Sequence, residues 1–328
     1  MVDMNIIGTI NPWGCNKFID VIKHVINIGI TCFRVNLKTY YEKEHFDYLI
    51  EVIKKMILVD NTISFIFDIG FPRDTARTVI NNNNGFIEIN EKDLFISNGV
   101  PSYSQNTIYI NKSVNLQCGD IIYYGDGQYN FTISECCSPG LWKAIPNIRD
   151  IVIWGNTALH FPREIYEEPQ NMELISAFFS DIKSLINYKI ALSFVEGKED
   201  ILKFIESYGE TNIICKIESF KGIENIDEIL ELCDCIMLGR GDLLFNSEFN
   251  KFLYSQEVVV KKCIENNKQI IVSTGILTSM KNNLLPARTE LIDILLLKQL
   301  GVTNINLSSH LLQSSNIDRV VELIDSLK

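Results

Sequence analysis

The sequence lacks the residue patterns that mark several classes of protein. Its nine cysteines contain no C-x-x-C pair, and none of its four histidines lies near a cysteine cluster, so a zinc site is not expected. No apolar run reaches the ~18 to 20 residues that a membrane-spanning helix requires. The first residues, "MVDMNIIGTI", have no basic stretch followed by a long apolar one. We therefore expect a reduced, cytoplasmic protein that does not bind membranes.

Positive charge is also scarce. Thirty lysines and arginines stand against 41 aspartates and glutamates, which gives a formal net charge of −11. This balance argues against binding to nucleic acids or anionic membranes, but a local cationic pocket for a small phosphorylated ligand remains compatible with it. With 328 residues, 46% of them hydrophobic, the chain is long enough for one large α/β domain or for a barrel with an insert.

Short apolar or β-branched runs alternate with amphipathic segments along most of the chain, as is typical of parallel strands joined by helices. Eight candidate strands occur, at residues 5–10, 31–37, 63–69, 189–195, 212–218, 235–241, 269–274 and 304–308. Helical periodicity fills most of the gaps, and several helices close with a glycine. The pattern predicts an α/β fold of the (β/α)8 TIM barrel type.

The segment after the third strand reads differently. Between residues 74 and 160, the stretch "IYINKSVNLQCGDIIYYGDGQYNFTI" alternates at period two around a GDG turn. We predict that residues 74–160 form a small all-β lid domain, inserted into a barrel made of residues 1–73 and 161–328.

Several predicted strands begin with apolar residues and end with polar ones. Side chains two residues apart on a strand share a face, and the carboxyl ends of barrel strands meet at one mouth, where active sites of this fold lie. This spacing groups the following residues: Lys216 with Glu218; Arg240 with Asp242; Arg34 with Asn36 and Lys38; Ser64 with Ile66 and Asp68; Val272 with Thr274.

Lys216 and Glu218, in the segment "IICKIES", are the strongest candidates for catalytic residues. A lone K-x-E is more often an exposed ion pair, but Lys216 and Glu218 end a run of Ile, Ile, Cys and Ile, so we expect them to be buried. Asp242, in "IMLGRGDL" on the next strand, would add repulsion between carboxylates. A divalent cation resolves this conflict: Glu218 and Asp242 are predicted to bind Mg²⁺ or Mn²⁺. Lys216 would stabilise charge on an enolate or a transferring phosphoryl group.

One long segment matches a known signature. The residues "KIESFKGIENIDEILELCDCIMLGRGDL" are similar to K-I-E-N-x-x-G-x-x-N-x-D-E-I-L…D-G-I-M-x-A-R-G-D-L of the pyruvate kinase family. "FRVNL" resembles that family's A-R-x-N-F-S-H, "FIFDIGFPR" its L-D-T-K-G-P-E, and "VSTGILTSM" its A-T-Q-M-L-E-S-M. The resemblance covers nearly the whole chain, without the family's C-terminal regulatory domain, and it includes the inserted β lid.

The resemblance implies roles for the matching residues at the reacting centre. Lys216 would be the electrophilic lysine, Glu218 and Asp242 the ligands of the divalent metal, and Arg34 a contact of the transferred phosphate. Thr274 would lie beside the methylene carbon and take part in protonating the enolate.

The resemblance also implies roles around that centre. Ser193, in the segment similar to the family's A-S-F, would contact substrate. Gly241 and Asp242 would offer backbone N–H groups to the pyruvate carboxylate, and Asn36 and Asp68 correspond to ligands of the family's potassium ion.

Some positions depart from the family pattern. Lys38 and Thr39 stand where the family has serine and histidine, and Gly275 stands where it has glutamine after the key threonine. Arg73 falls where the family has a glutamate that gives way to lysine in its potassium-independent members. We hypothesise that a tethered cation, Lys38 or Arg73, replaces potassium.

The resemblance implies a pyruvate kinase-like phosphotransferase of glycolysis, in which Mg²⁺ assists phosphoryl transfer between phosphoenolpyruvate and a nucleoside diphosphate such as ADP. Two alternatives stay open. The first is a metal-dependent lyase, aldolase or decarboxylase that acts through a pyruvate enolate. The second is a non-catalytic protein that binds pyruvate or phosphoenolpyruvate.

Overall fold

The computed structural model describes residues 4–13, 17–80, 85–90, 94–99, 106–125, 127–155, 157–161, 171–209, 212–245 and 249–327. The chain divides into two compact units. Unit 1 consists of Met1–Pro72 and Pro169–Lys328, and unit 2 of Arg73–Glu168. The predicted boundary at residues 160 and 161 adjoins residues 162–170, which lie outside the described part of the chain.

Unit 1 begins with strands and helices in alternation, namely β1 (Asn5–Ile10), α1 (Phe18–Asn27), β2 (Cys32–Asn36), α2 (Lys43–Val59) and β3 (Ser64–Pro72). The amphipathic pattern explains the helices. In α1 the buried residues Phe18, Ile22 and Val25 recur at a spacing of three to four, which gives one apolar face toward the strands.

Unit 2 consists of short strands, namely β4 (Ala76–Val79), β5 (Phe86–Ile89), β6 (Leu94–Ser97), β7 (Thr107–Ile110), β8 (Ile121–Tyr124), β9 (Tyr129–Ser138), β10 (Leu141–Pro146), β11 (Ile151–Trp154) and β12 (Ala158–His160). Seven of them close in the order β10-β6-β7-β4-β12-β8-β9, and β5 pairs with β11. The predicted hairpin is the antiparallel pair of β8 and β9. Asp126 of its GDG turn lies outside the described residues.

The remaining strands of unit 1 are β13 (Asn187–Ser193), β14 (Ile213–Ile217), β15 (Cys235–Gly239), β16 (Gln269–Ser273) and β17 (Asn304–Leu307). Its remaining helices are α3 (Met172–Ile182), α4 (Lys198–Tyr208), α5 (Phe220–Glu224), α6 (Ile226–Leu232), α7 (Arg240–Phe245), α8 (Phe249–Glu265), α9 (Arg288–Gln299), α10 (Ser309–Leu312) and α11 (Ile317–Ser326). Within the described segments, no helix has both the length and the apolar character needed to cross a bilayer.

Eight parallel strands close into a barrel in the order β1-β2-β3-β13-β14-β15-β16-β17. The predicted (β/α)8 barrel with a β unit inserted after the third strand is therefore confirmed. Some predicted strand bounds are wrong: β3 runs to Pro72 rather than residue 69, and β16 ends at Ser273 rather than residue 274. The sixth strand ends at Gly239 rather than residue 241, because a helical turn begins at Arg240, so strand alternation does not govern Arg240 and Asp242.

The barrel interior changes from apolar to polar along the strand direction. An inner apolar cluster contains, among others, Ile7, Ile66, Ala191, Ile214, Met237 and Ile271. Two residues further on, the same strands carry Thr9, Asp68, Ser193, Lys216, Gly239 and Ser273. Because side chains on one face of a strand recur every second residue, the polar layer sits directly above the apolar one, at the carboxyl ends of the strands.

Candidate active site

Asp68 of β3 is the centre of the polar layer. Its side chain is completely buried. Arg34 donates from Nε to Oδ2 at 2.9 Å and contacts the same oxygen through Nη2, and Lys216 Nζ lies 3.1 Å from Oδ2. Lys38 Nζ lies 3.9 Å from Oδ1. Burial alone would raise the pKa of Asp68, but the charges of Lys216, Arg34 and Lys38 together outweigh it and hold that pKa well below its usual value.

Lys216 of β14 bridges two carboxylates. Its Nζ lies 2.7 Å from Oε1 of Glu218, and it donates to Asp68 Oδ1 at 3.3 Å and to Ser193 Oγ at 3.2 Å. Ser193 in turn donates to the carbonyl oxygen of Ile69 at 2.8 Å. With about 4% of its side chain exposed, Lys216 is a buried ammonium, and its partners lie on or directly after barrel strands. A buried charge needs such compensation.

Glu218, just after β14, has each carboxylate oxygen engaged: Oε1 by Lys216, and Oε2 by the backbone N–H of Phe194 at 3.0 Å. Phe194 has a φ of 50°, which is rare for a bulky residue. A Cβ at position 239 would lie 2.7 Å from Glu218 Cγ, so Gly239 leaves the space that Glu218 fills.

The pKa of Glu218 is raised above its usual value. Burial is the largest cause, the charges of Lys216 and Lys38 oppose it, and the negative charges of Asp242 and Asp68 add to it. Asp242 lies in the first turn of α7, which begins at Arg240, and Gly241 precedes it. The negative charge of Asp242 therefore adds to the effect of burial on the pKa of Glu218.

A chain of hydrogen bonds continues from Arg34 around the barrel. Arg34 Nη1 donates to Thr9 Oγ1 at 3.3 Å, Thr9 donates to Asn306 Oδ1 at 3.1 Å, and Asn306 Nδ2 donates to Ser273 Oγ at 3.1 Å. Together with the contacts of Asp68, side chains from seven of the eight barrel strands are linked in one network: β16, β17, β1, β2, β3, β13 and β14. Arg34 is thus held from two sides.

Asn36, Lys38, Asp68 and Arg73 form the predicted monovalent-cation corner, the place where the family resemblance puts potassium. It contains a buried ammonium. Lys38 is only 4% exposed, its Nζ lies 5.9 Å from the centre of the Phe194 ring, and its backbone N–H donates to Asn36 Oδ1 at 3.1 Å. Asn36 ends β2, beside Asp68 in the strand register. Arg73 is the first residue of unit 2, and its place in this corner stays a prediction.

Thr274 and Arg240 differ from what strand alternation indicated. Val272 packs into the outer core and Ser273 lies on the inner face, while Thr274 follows the strand with a φ of 72° and an exposed side chain. The Arg240 guanidinium reaches Asp293 at 2.7 Å and the carbonyl oxygen of Thr274 at 2.6 Å. The grouping of Arg240 with Asp242 is therefore wrong.

Three uncharged polar side chains of the network were not predicted from the sequence. Thr9, Ser273 and Asn306 belong to the network but carry no charge, so charged residues at strand ends do not indicate them. Their positions relative to the inner apolar residues, two steps along the same strand for Thr9 and Ser273, were the available signal.

The chain is similar to proteins of one family along most of its length. Residues 1–309 match the family model described as pyruvate kinase, barrel domain. The chain is 26% identical to pyruvate kinase of Thermoplasma acidophilum over 298 residues, or 88% of this chain and 51% of that protein. It is also 26% identical to pyruvate kinase of Clostridium perfringens over 310 residues, with coverage of 90% and 63%. It is 31% identical to that of Schizosaccharomyces pombe over 191 residues, with coverage of 57% and 37%.

The fold defines a (β/α)8 barrel with an inserted β unit, and the family match narrows this class. The chain belongs to the pyruvate kinase family. It spans less than two thirds of the length of the curated relatives named above.

Proposed function

We propose that the protein transfers a phosphoryl group between phosphoenolpyruvate and a nucleoside diphosphate, with Mg²⁺, and thereby forms pyruvate. One observation carries the proposal: the buried ammonium of Lys216 lies 2.7 Å from Glu218 and 3.1 Å from Asp68 at the carboxyl end of the barrel. A compact positive charge held in a site of low polarity stabilises the negative charge that develops on an enolate oxygen far more than it would in water.

The donor set fits a hard divalent cation. Glu218 follows β14 and Asp242 lies in the first turn of α7 after β15, and both offer carboxylate oxygens. Burial raises the pKa of Glu218, and the negative charge of Asp242 adds to that effect. Among the described residues there is no group of three or more His, Cys, Asp or Glu side chains able to hold a metal. Two protein carboxylates, with water and substrate completing the shell, is the usual donor set for Mg²⁺. When bound, Mg²⁺ would polarise the substrate's oxygens as a Lewis acid.

The other residues have distinct tasks in this proposal. Lys216, oriented by Ser193 and Asp68, places its ammonium beside the enolate oxygen. Arg34 contacts the phosphoryl group, since a guanidinium offers a rigid pair of donors to its oxygens. Thr274 passes a proton to or from the methylene carbon. The first turn of α7, with the N–H groups of Gly241 and Asp242, receives the carboxylate.

A potassium ion does not fit the corner that the family resemblance assigns to it. Asp68 is already paired with three cations, and the Lys38 ammonium is buried 3.9 Å from its Oδ1. A further monovalent cation beside these groups would add repulsion, because the Asp68 carboxylate is already shared among three positive charges. We propose that Lys38 provides the positive charge in place of potassium.

The test is a coupled assay for pyruvate formation from phosphoenolpyruvate, ADP and Mg²⁺. We expect turnover that depends on all three components. If no transfer occurs, hydrogen exchange at the pyruvate methyl group in D2O distinguishes the remaining functions. Exchange without transfer would favour a lyase that uses the enolate, and binding without exchange would favour a non-catalytic protein.

A further inference from the structure

Thr274 has a backbone conformation that β-branched residues rarely adopt. Its φ is 72°, and the φ of the next residue, Gly275, is 76°. Both residues are exposed, whereas their neighbours on either side are buried, namely Val272, Ser273, Ile276 and Leu277. A left-handed conformation at threonine costs free energy and persists only where the surroundings fix it. Such outliers concentrate at functional sites, so the contact that holds this one is informative.

That contact is the guanidinium of Arg240. Its Nε and Nη2 both donate to the carbonyl oxygen of Thr274, at 3.0 and 2.6 Å. Its Nη1 donates to Oδ1 of Asp293 on α9 at 2.7 Å and to Oε1 of Gln256 on α8 at 3.1 Å. Every nitrogen of the Arg240 side chain therefore donates to a protein acceptor. Acceptors on α8 and α9 hold the guanidinium in place, and the guanidinium binds the peptide after Thr274.

Gly275 follows Thr274 and has the same left-handed conformation. A Cβ at this position would make an ordinary van der Waals contact with Arg240 Nη2, at 3.4 Å, but the positive φ would strain any L side chain there. The peptide bound by Arg240 thus joins Thr274, whose backbone is strained, to Gly275, which tolerates the same conformation. The arrangement is specific to guanidinium, because an ammonium cannot donate two parallel N–H groups to one oxygen from a fixed plane.

We propose that Arg240 is a positioning residue that holds the Thr274 peptide in its left-handed conformation and thereby aims the Thr274 hydroxyl at the substrate's methyl carbon. The inference rests on the proposed function, in which Thr274 carries a proton. Arg240 itself would touch neither substrate nor metal, since its donors are occupied by Thr274, Asp293 and Gln256.

The proton step can be followed in isolation. A C–H bond of the pyruvate methyl group breaks, its electron pair becomes the enolate double bond, and the carbonyl oxygen takes the negative charge beside Lys216. The proton passes to water by way of the Thr274 hydroxyl. In D2O a deuteron returns along the same route, so the rate of deuterium entry into pyruvate reports proton transfer without phosphoryl transfer.

The experiment measures this exchange for the wild type, for Arg240→Lys and for the matched control Arg319→Lys, an exposed arginine on α11. All samples contain the same Mg²⁺ and nucleotide concentrations, and the dissociation constant of oxalate, an enolpyruvate mimic, is measured in parallel. We expect Arg240→Lys to exchange about 10- to 100-fold more slowly at saturating pyruvate, because a displacement near 1 Å has effects of this size. Its oxalate affinity and the control's rate should stay within about threefold of wild type.

Each outcome decides a different question. If the wild type exchanges and Arg240→Lys matches the control, the positioning role is wrong while the proposed function stands. Equal losses in oxalate affinity and exchange would also overturn it, because they would indicate a general structural effect. If the wild type neither exchanges protons nor transfers phosphate, the proposed function fails and the inference fails with it. If Arg240→Lys does not fold, Gln256→Met replaces it in the experiment, because it removes one acceptor of Arg240 at similar side-chain volume. We expect Gln256→Met to slow exchange by a smaller factor. An unchanged exchange rate in this variant would contradict the proposal.

Discussion

Nζ of Lys216 lies 2.7 Å from Oε1 of Glu218, and both side chains are almost fully buried. The free-energy cost of removing two charges from water can exceed the attraction between them, so a buried ion pair is weak evidence for stability. A second carboxylate, Asp68, also contacts Lys216. The proposed function accounts for the pair, because it requires an ammonium placed where negative charge develops on the substrate.

Replacing Lys216 by arginine tests this view while keeping the positive charge. The planar guanidinium cannot occupy the compact position between Asp68 and Glu218, so we expect kcat for phosphoryl transfer to fall by about 10²- to 10³-fold, the range seen when one charge-stabilising donor is lost. The matched control is Lys221→Arg, at an exposed lysine that pairs with Glu196. Comparable losses in both variants would indicate that the position of the Lys216 ammonium is unimportant.

The hydrogen-bonded chain behind Arg34 predicts an effect at a distance. Asn306→Leu removes the acceptor of Thr9, whose hydroxyl accepts from Arg34. We expect phosphoenolpyruvate to bind about 5- to 30-fold more weakly, the factor that corresponds to 1 to 2 kcal/mol. Oxalate, which has no phosphoryl group, should lose much less affinity, and titration calorimetry measures both.

The control for this variant lies on the same strand. Asn304, two residues earlier on β17, donates to the carbonyl oxygen of Ile270 and takes no part in the chain to Arg34. Asn304→Leu should leave the ratio of the two affinities at its wild-type value. An equal loss of both ligands in Asn306→Leu would show that the chain does not act through Arg34.

The barrel was predictable because its signals are local and repeated. Parallel strands buried on both faces read as short apolar runs, and amphipathic helices between them give the alternation that defines the fold. The burial of Lys216 and Glu218 also followed from the apolar residues before them. Each of these features depends on neighbours in the sequence.

The rest of the site depends on contacts between distant residues. Asp68 as the shared partner of Arg34, Lys38 and Lys216 requires the closure of the barrel. The reach of Arg240 to Asp293 requires the strand to end at Gly239, where a helical turn replaces alternation. No local period encodes either fact, because both are set by how remote segments pack.

The dependence of activity on potassium should differ between the wild type and Lys38→Ser. At constant ionic strength, we expect wild-type activity to be the same in KCl and in tetramethylammonium chloride, since the Lys38 ammonium already lies beside Asp68. Lys38→Ser removes that charge and leaves space, so its activity should be low and should be restored by KCl more than by NaCl. Steep activation of the wild type by KCl would contradict the replacement.

Asp68 predicts a pH dependence of stability. Its pKa in the folded protein lies well below the unfolded value of about 4, so its stabilising contribution is present above that value and is lost as the pH falls below it. Below about pH 4, the free energy of unfolding of the wild type should fall more steeply than that of Asp68→Asn, by up to about 1.4 kcal/mol per pH unit. Urea unfolding between pH 2 and 6 measures both slopes, with the exposed Asp181→Asn as the control. Parallel curves for wild type and Asp68→Asn would rule out this linkage.

A crystal structure with oxalate and Mg²⁺ tests the central claim most directly. We expect one metal ion bound to carboxylate oxygens of Glu218 and Asp242 and to oxalate, with the Lys216 ammonium within hydrogen-bond distance of an oxalate oxygen. A metal bound elsewhere, or oxalate bound away from Lys216, would contradict the account.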